Sequence, residues 1–288
     1  MKKRKIKIGI IGHGFVGKAT ASGFNKDVEK AIIDPKNNTN VSDLKDFNPD
    51  ICFICVPTPM SKEGSIDSSI VESVLKEIKQ ICPKTLIVIK STVIPKVLTE
   101  LEKINKNIIY NPEFLREKHA EYDFKNSPML IFGGKKNKAK LVSEIFKKHS
   151  KCTTNKHIFL DLESASLVKY AINTYLATKV VFFNELWAIF NTMELKDNWK
   201  KITDTIAHDS RVGNSHMDVP GHDGKLGFGG ACFPKDIAAF ISFSNDIGSN
   251  SELLKSVGRI NNKIRKQYED LDEREKQQNV TFNDNIFN

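Results

Sequence analysis

Ten residues, Gly227 to Asp236 (GFGGACFPKD), hold side chains that can do chemistry at a spacing that suits it. Gly227, Gly229 and Gly230 strip a short path of side chains, so the backbone can turn tightly and a ligand can lie directly against it. Cys232 follows at once, and a thiol placed just after such a loop is a candidate nucleophile. Lys235 and Asp236, close behind, can polarise water or tune the thiol. Taken alone, the same pattern also fits a structural cysteine beside a turn, since cysteine is among the most buried residue types.

A second pair of candidates sits on a helix. From Glu163 to Phe190 there is no Gly or Pro, and the apolar content predicts one long, largely buried helix that Asp161 or Ser164 would cap. Lys169 and Asn173 lie one turn apart on the same face, flanked by Ala165, Leu176 and Ala177. A lysine on an apolar stripe needs a partner or a task, unless it snorkels to solvent.

The elements that must position these groups begin at the N-terminus. Residues 6–11 (IKIGII) read as a buried strand that runs through Gly12, Gly14 and Gly17 into a helical pattern. In that setting the first glycine permits the tight turn, the second lets backbone approach a pyrophosphate, and the third permits close helix packing. The helix N-terminus then offers N–H groups to the phosphates. A second strand ends at Asp34, a carboxylate placed to accept from an adenosine ribose and to repel the extra phosphate of NADP. The predicted cofactor is NAD.

DICFICVPTP reads as a third strand, apolar on both faces. Its Cys52 and Cys55 point to opposite faces, so they are read as packing and not as a zinc or redox pair. Residues 68–82 carry helical spacing, and TLIVIKSTV is a fourth strand. Ligands in such sheets bind at the carboxyl ends of strands, which makes Thr58, Ser91 and Thr92 candidates to line a cofactor crevice. From Asn107 a fifth strand passes into a turn and helix bearing Glu113, Arg116 and Glu117; PMLIFGG and HIFLD supply two more strands, with a surface helix between them. Residues 199–208 read as helix, and helix resumes after the cysteine loop.

The expected architecture is therefore α/β. An N-terminal Rossmann domain with a parallel sheet spans 1–160, a helical central domain built on one long helix spans 161–270 and carries the cysteine loop, and a polar tail, 271–288, is expected to fray. Five scattered cysteines, an odd number, point to a reducing compartment and the cytoplasm. The opening MKKRK and the apolar residues after it imitate a signal peptide, but Gly12, His13, Gly14 and Lys18 break the run, so no export signal and no membrane span is expected. The net charge of +9 comes from lysines spread over helix faces without interleaved aromatics, which argues against nucleic acid and for a solvated basic surface that attracts anionic substrates. No metal site is expected.

With these residues placed, the chain resembles the UDP-glucose/GDP-mannose dehydrogenase family. The likeness runs collinearly over about residues 6–260, through the glycine fingerprint, CVPTP, STVIP, NPEFLRE, ESASLVKYAINTYLATKVVFFNE, DSRVG and GFGGACFPKD. It implies a twofold NAD-dependent oxidation of a sugar C6 alcohol to the carboxylate, most simply UDP-glucose to UDP-glucuronate for polysaccharide biosynthesis. Cys232 would capture the aldehyde as a thiohemiacetal and carry the later thioester. Lys169 and Asn173 match residues that stabilise the oxyanions. Asp236 matches a general base for thioester hydrolysis, with Thr92 orienting the water, while Glu117 assists that water and contacts the cofactor, and Glu113 is a second candidate. Cofactor positions map onto Gly12, Gly14, Phe15, Val16, Gly17, Asp34, Thr58, Thr92 and Glu117. Substrate positions map onto Glu113, Phe114, Leu115, Arg116, Lys169, Asn173, Phe228 and Gly229, and onto Arg211, which in the family reaches across a dimer interface. The long helix matches the family's dimerisation core, so a homodimer through 163–190 is implied.

One departure is large. The family continues into a second lobe of domain size that closes over the nucleotide, whereas this chain stops at Asn288; the loop between Arg211 and Gly227 contains a longer VPGHDGK insertion. A separate partner carrying that lobe is one expectation. Two rival readings share the architecture: a hydroxyacid dehydrogenase, which needs a lysine on the long helix but no Cys232, and a nucleotide-sugar binding protein without turnover.

Overall fold

In the computed structural model residues 4–287 are described. Among them, apolar runs of three to five residues form β1 (Lys7–Ile11), β2 (Glu29–Ile33), β3 (Ile51–Ile54), β4 (Leu86–Ile89), β5 (Ile108–Tyr110), β6 (Leu130–Gly133) and β7 (His157–Leu160). They make one sheet in the order β2-β1-β3-β4-β5-β6-β7. The helices are α1 (Phe15–Gly23), α2 (Leu44–Phe47), α3 (Ser69–Ile81), α4 (Pro95–Ile104), α5 (Ala120–Lys125), α6 (Lys136–His149), α7 (Leu162–Thr192), α8 (Trp199–Ala207), α9 (Phe233–Asp246), α10 (Glu252–Arg265) and α11 (Glu273–Gln277). No described helix is long and apolar enough to cross a membrane.

Neighbouring strands are parallel, with one exception the sequence did not suggest: β5 meets β6 antiparallel, through Tyr110 and Gly133. A six-residue helix rises only about 9 Å. Thus α5 does not carry the chain back to the far end of the sheet, and β6 enters from the end at which β5 left. Alternate residues along a strand feed two cores. Ile51 and Phe53 of β3 pack with Ile8, Val88, Phe132 and Phe146 on one face, while Cys52 and Ile54 pack with Leu44, Leu75, Ile87 and Leu98 on the other. Cys52 and Cys55 do fall on opposite faces as packing residues, and burial pushes the Cys55 thiol up to about 12.

The chain divides into two compact units. One holds the sheet, up to Thr58 and again over Asp67–Lys169; the other comprises Pro59–Ile66 and the chain from Tyr170 onward, so the division falls inside α7. Asp161 starts α7, its two carboxylate oxygens accepting from the backbone N–H (2.7 Å) and hydroxyl (2.8 Å) of Ser164. The helix is less buried than its composition predicts. Leu167, Tyr175, Phe182 and Ile189 are each at least half exposed, at a spacing that keeps them on one side of α7. The single chain covers only the other side of this helix.

In the second unit Phe228, Ile237, Ile241, Ala177 and Val181 form a core with Val257 of α10 and with Phe287. The terminal segment therefore does not lack a core pattern. Asp272 and Glu275 form a reciprocal capping box that starts α11, and Glu275, Val280 and Phe287 are buried. Met1–Lys3 and Asn288 lie outside the described residues, so the imitation of a signal peptide is described only from Arg4 onward.

Candidate active site

The turn after β1 is built as the glycine spacing predicts. Gly12 has φ +88°, and a Cβ there would sit 2.7 Å from the carbonyl oxygen of Cys55. A Cβ on Gly17 would overlap the carbonyl oxygen of Gly12, so α1 packs directly on the turn. Gly14, by contrast, has nothing within 4 Å of its Cβ position and stands at the N-cap of α1, with no side-chain cap. Phe15 and Val16 are the first residues of that helix. The open approach is therefore at the helix N-terminus, where an anion is favoured.

Asp34 follows β2 and reaches the same turn, its carboxylate accepting from the backbone N–H of His13 (2.6 Å) and of Lys36 (2.9 Å). Burial alone would raise its pKa; the two N–H donors and neighbouring positive charge outweigh that and hold it below the usual carboxylate range. Each oxygen keeps lone pairs for ribose hydroxyls. An open glycine at an uncapped helix N-terminus beside an ionised Asp34 fits a dinucleotide. Thr58, four residues past the end of β3, is buried, and Thr92 is half-buried in the loop after β4. The hydroxyl of Ser91 donates to the Val56 carbonyl (2.7 Å), an ordinary turn role.

Lys169 has a partner. It is buried, its Nζ donates to the Glu113 carbonyl and lies 3.6 Å from Glu113 Oε1, and the ammonium sits 5.0 Å from the centre of the Phe114 ring. Glu113 Oε2 in turn accepts from the Leu115 N–H (2.6 Å), which ties the turn to the lysine. A buried ammonium held this way does not snorkel. Nearby, Lys90 is also buried against Asn111 Oδ1 (2.9 Å), and desolvation holds its pKa down. Sequence reading passed over Lys90 because it sits inside a strand-end apolar run. Arg116 and Glu117 are exposed; Arg116 forks onto Asp123 (3.0 and 2.7 Å).

In the second unit the cysteine loop ends at a helix. Cys232 is the N-cap of α9, half-buried, with no side-chain cap, and its carbonyl accepts from the Asp236 N–H (2.9 Å). Cys232 thus stands at the N-terminus of α9, the end of a helix that favours negative charge. Asp236 lies one turn on and is 1% exposed; one oxygen pairs with the Lys235 ammonium and the other accepts from Asn173 Nδ2 (2.6 Å). The second unit therefore brings Cys232, Lys235, Asp236 and Asn173 together, and the first brings Lys169 to Glu113 and Phe114. Phe228 is buried and Gly229 half-buried. Arg211 is exposed and folded onto Asp209 (Nη2 to Oδ2 2.6 Å).

Two things about the loop were not read from sequence. Asn184 Oδ1 accepts from Gly227 N–H (2.8 Å), and Asn261 Oδ1 from Phe228 N–H (2.7 Å), so side chains of α7 and α10 hold the loop backbone. Asn184 could have been suspected as a buried polar residue on the long helix. Asn261 carries no local signal.

A Rossmann sheet with a dinucleotide cradle, followed by a helical unit that carries a half-buried thiol, defines a dinucleotide-binding protein. Sequence models of the UDP-glucose/GDP-mannose dehydrogenase family match in two places: its NAD binding domain over residues 36–150 and its central domain over 163–263. A UDP-glucose 6-dehydrogenase of Campylobacter jejuni is 32% identical over 298 residues, covering 91% of this chain and 73% of its own length. An uncharacterized protein of Methanocaldococcus jannaschii is 31% identical over 278 residues, covering 82% of this chain but only 30% of its own length. The structure of a UDP-glucose dehydrogenase from Pyrobaculum islandicum superposes with a TM-score of 0.74 at 26% identity, covering 90% of this chain and 68% of the other. The chain belongs to the UDP-glucose/GDP-mannose dehydrogenase family, and its cofactor is NAD. It spans from under a third to about three quarters of the length of these relatives.

Proposed function

We propose that this chain carries the chemical centre of a nucleotide-sugar 6-dehydrogenase that oxidises a C6 alcohol to the carboxylate in two NAD-dependent steps, with UDP-glucose the foremost substrate. The observation that carries the reading is Cys232 at the N-terminus of α9, one turn ahead of an Asp236 engaged by Lys235 and Asn173. NAD, when bound, takes the carbon-bound hydrogen with its electron pair in each step. The thiol of Cys232 adds to the C6 aldehyde, forming a C–S bond and a hydroxyl; oxidation of that thiohemiacetal gives a thioester, and water breaks the C–S bond to release the acid and restore the thiol. One sugar and one water thus reduce two NAD.

The residues divide the remaining work. Lys169, a buried ammonium, and Asn173, on the next turn of α7, stabilise negative oxygen at C6. Asp236 takes the proton of the hydrolytic water, helped by Thr92 and Glu117, while its other oxygen is held by the Lys235 ammonium. Gly12, Gly14, Phe15, Val16, Gly17, Asp34 and Thr58 hold the cofactor, while Glu113, Phe114, Leu115, Arg116, Phe228 and Gly229 contact the sugar nucleotide. The working form is a homodimer closed by the apolar side of α7, in which Arg211 leaves Asp209 for the substrate of the partner subunit.

Incubation with NAD and a panel of nucleotide sugars tests this: two NADH per sugar and no free aldehyde are expected. One NADH with aldehyde in solution rejects the thiohemiacetal route, and no NADH with any nucleotide sugar favours the hydroxyacid dehydrogenase reading.

A further inference from the structure

The cysteine loop has a third backbone anchor, a carboxylate to which the proposed function gives no work. The Gly230 N–H donates to Glu275 Oε1 (2.9 Å), two residues before Cys232. Glu275 lies on α11, past the stretch matched by the family's central domain. It is fully buried, and all its bonds are internal: Oε1 also accepts from Arg265 Nη2 (3.0 Å), and Oε2 accepts from the Asp272 N–H (2.9 Å). Arg265 is 2% exposed and holds the insertion loop with its other terminal nitrogen, donating from Nη1 to Asp223 Oδ2 (2.7 Å).

The fit is close. A Cβ on Gly229 would overlap both Arg265 Nη2 and Glu275 Oε1, and Gly230 takes φ +77°, a conformation that glycine adopts without strain. A hydrogen bond to a carboxylate inside a buried ion pair is stronger than one at the surface. It therefore fixes the plane of the peptide that leads into the N-cap of α9. Asn184 and Asn261 fix the residues before it, at Gly227 and Phe228.

We propose that Glu275, paired with Arg265, is a positioning residue for the Cys232 thiol: the buried pair clamps the Gly229–Gly230 backbone and so sets where the sulfur stands at the head of α9. The inference rests on the reading of Cys232 as the nucleophile. It gives the C-terminal segment a role in the chemistry beyond covering the core. Loosening the clamp should displace the sulfur, and a misplacement of about 1 Å costs on the order of 10²-fold in rate.

The test compares the full chain with Glu275→Gln, which keeps an oxygen for Gly230 but removes the charge that holds Arg265, and with Arg265→Lys. Iodoacetamide labelling, read cysteine by cysteine by mass spectrometry, needs no turnover. In both variants Cys232 should be alkylated faster, by about tenfold, the order expected for loss of one charge-assisted hydrogen bond. Cys52, Cys55 and Cys82, buried in the sheet unit, should stay protected, and kcat should fall while the Kd for NAD is unchanged. Unchanged Cys232 labelling and kcat would overturn the proposal, and so would labelling of all five cysteines together, which marks general unfolding. In the unmodified chain the Gly230 amide should exchange with solvent as slowly as amides within α10; exchange at the rate of an open loop would overturn it without any variant. Normal turnover by Cys232→Ala would instead sink the nucleophile reading, leaving the labelling and exchange results to report on the clamp alone.

Discussion

Asn173 Nδ2 donates to Asp236 Oδ2 at 2.6 Å, and both side chains are buried. Two residues far apart in the chain thereby fix one carboxylate, whose other oxygen takes Lys235. Breaking a buried pair by removing one charge costs about 3–5 kcal/mol, because the other charge stays buried. Asp236→Asn is therefore expected to lower stability by about that much, and Asn173→Ala by about 1–3 kcal/mol as one acceptor loses its donor. Urea denaturation of the two variants measures both; equal, negligible shifts would show that the network is open to water.

Cys232→Ala should abolish acid formation and leave NAD affinity unchanged, since the thiol and the glycine cradle belong to different units. Isothermal titration with NAD beside a product assay checks this. A variant that loses NAD binding would mark Cys232 as structural.

Lys169→Ala should slow oxidation by about 10²–10³-fold, the usual cost of one oxyanion donor. Lys169→Arg should fail as well. A planar guanidinium cannot replace a compact ammonium wedged between the Glu113 carbonyl and the Phe114 ring. Near-normal kcat in both would remove the residue from the chemistry.

Gly14→Ala and Gly17→Ala should part company. The Gly17 Cβ would overlap the Gly12 carbonyl, so that variant is expected to lose about 1–3 kcal/mol or more of stability. The Gly14 Cβ meets nothing in the chain, so its variant should unfold near the parent temperature yet bind NAD at least about tenfold more weakly, one lost close approach being worth that order. Thermal melts with and without NAD separate the two effects.

Asp34 carries the pH dependence of the cradle. Its folded-state pKa is lowered, so the stability it contributes is fully present above the unfolded value, about 3.9, and is lost as pH falls through the folded value. The chain should melt above Asp34→Asn at pH 7, and the gap should close toward pH 3. A gap that widened in acid would contradict the assignment of Asp34 as ionised.

Local sequence determined a good deal. The spacing of Gly12, Gly14 and Gly17 after an apolar run specifies strand, turn and helix through short-range sterics. Absence of Gly and Pro over 163–190 specifies the long helix, and the separation of Cys52 from Cys55 specifies opposite faces. The antiparallel entry of β6, by contrast, depends on where α5 ends in space, which no residue pattern states. The D-x-x-E spacing of Asp272 and Glu275 is a helix-start pattern that the expectation of a fraying polar tail over 271–288 passes over. What it could not announce is that Glu275 turns inward to Arg265 and Gly230.

The same limit applies to Lys169, Asn173 and Asp236. Sequence set their types and put Lys169 and Asn173 one turn apart, because helix periodicity is local. It could not say that Lys169 pairs with Glu113 or that Asn173 reaches Asp236, because those partners lie 56 and 63 residues away. Only packing of distant elements, driven by burial of the apolar faces between them, brings such groups within hydrogen-bonding distance and excludes the water that would otherwise pair with each.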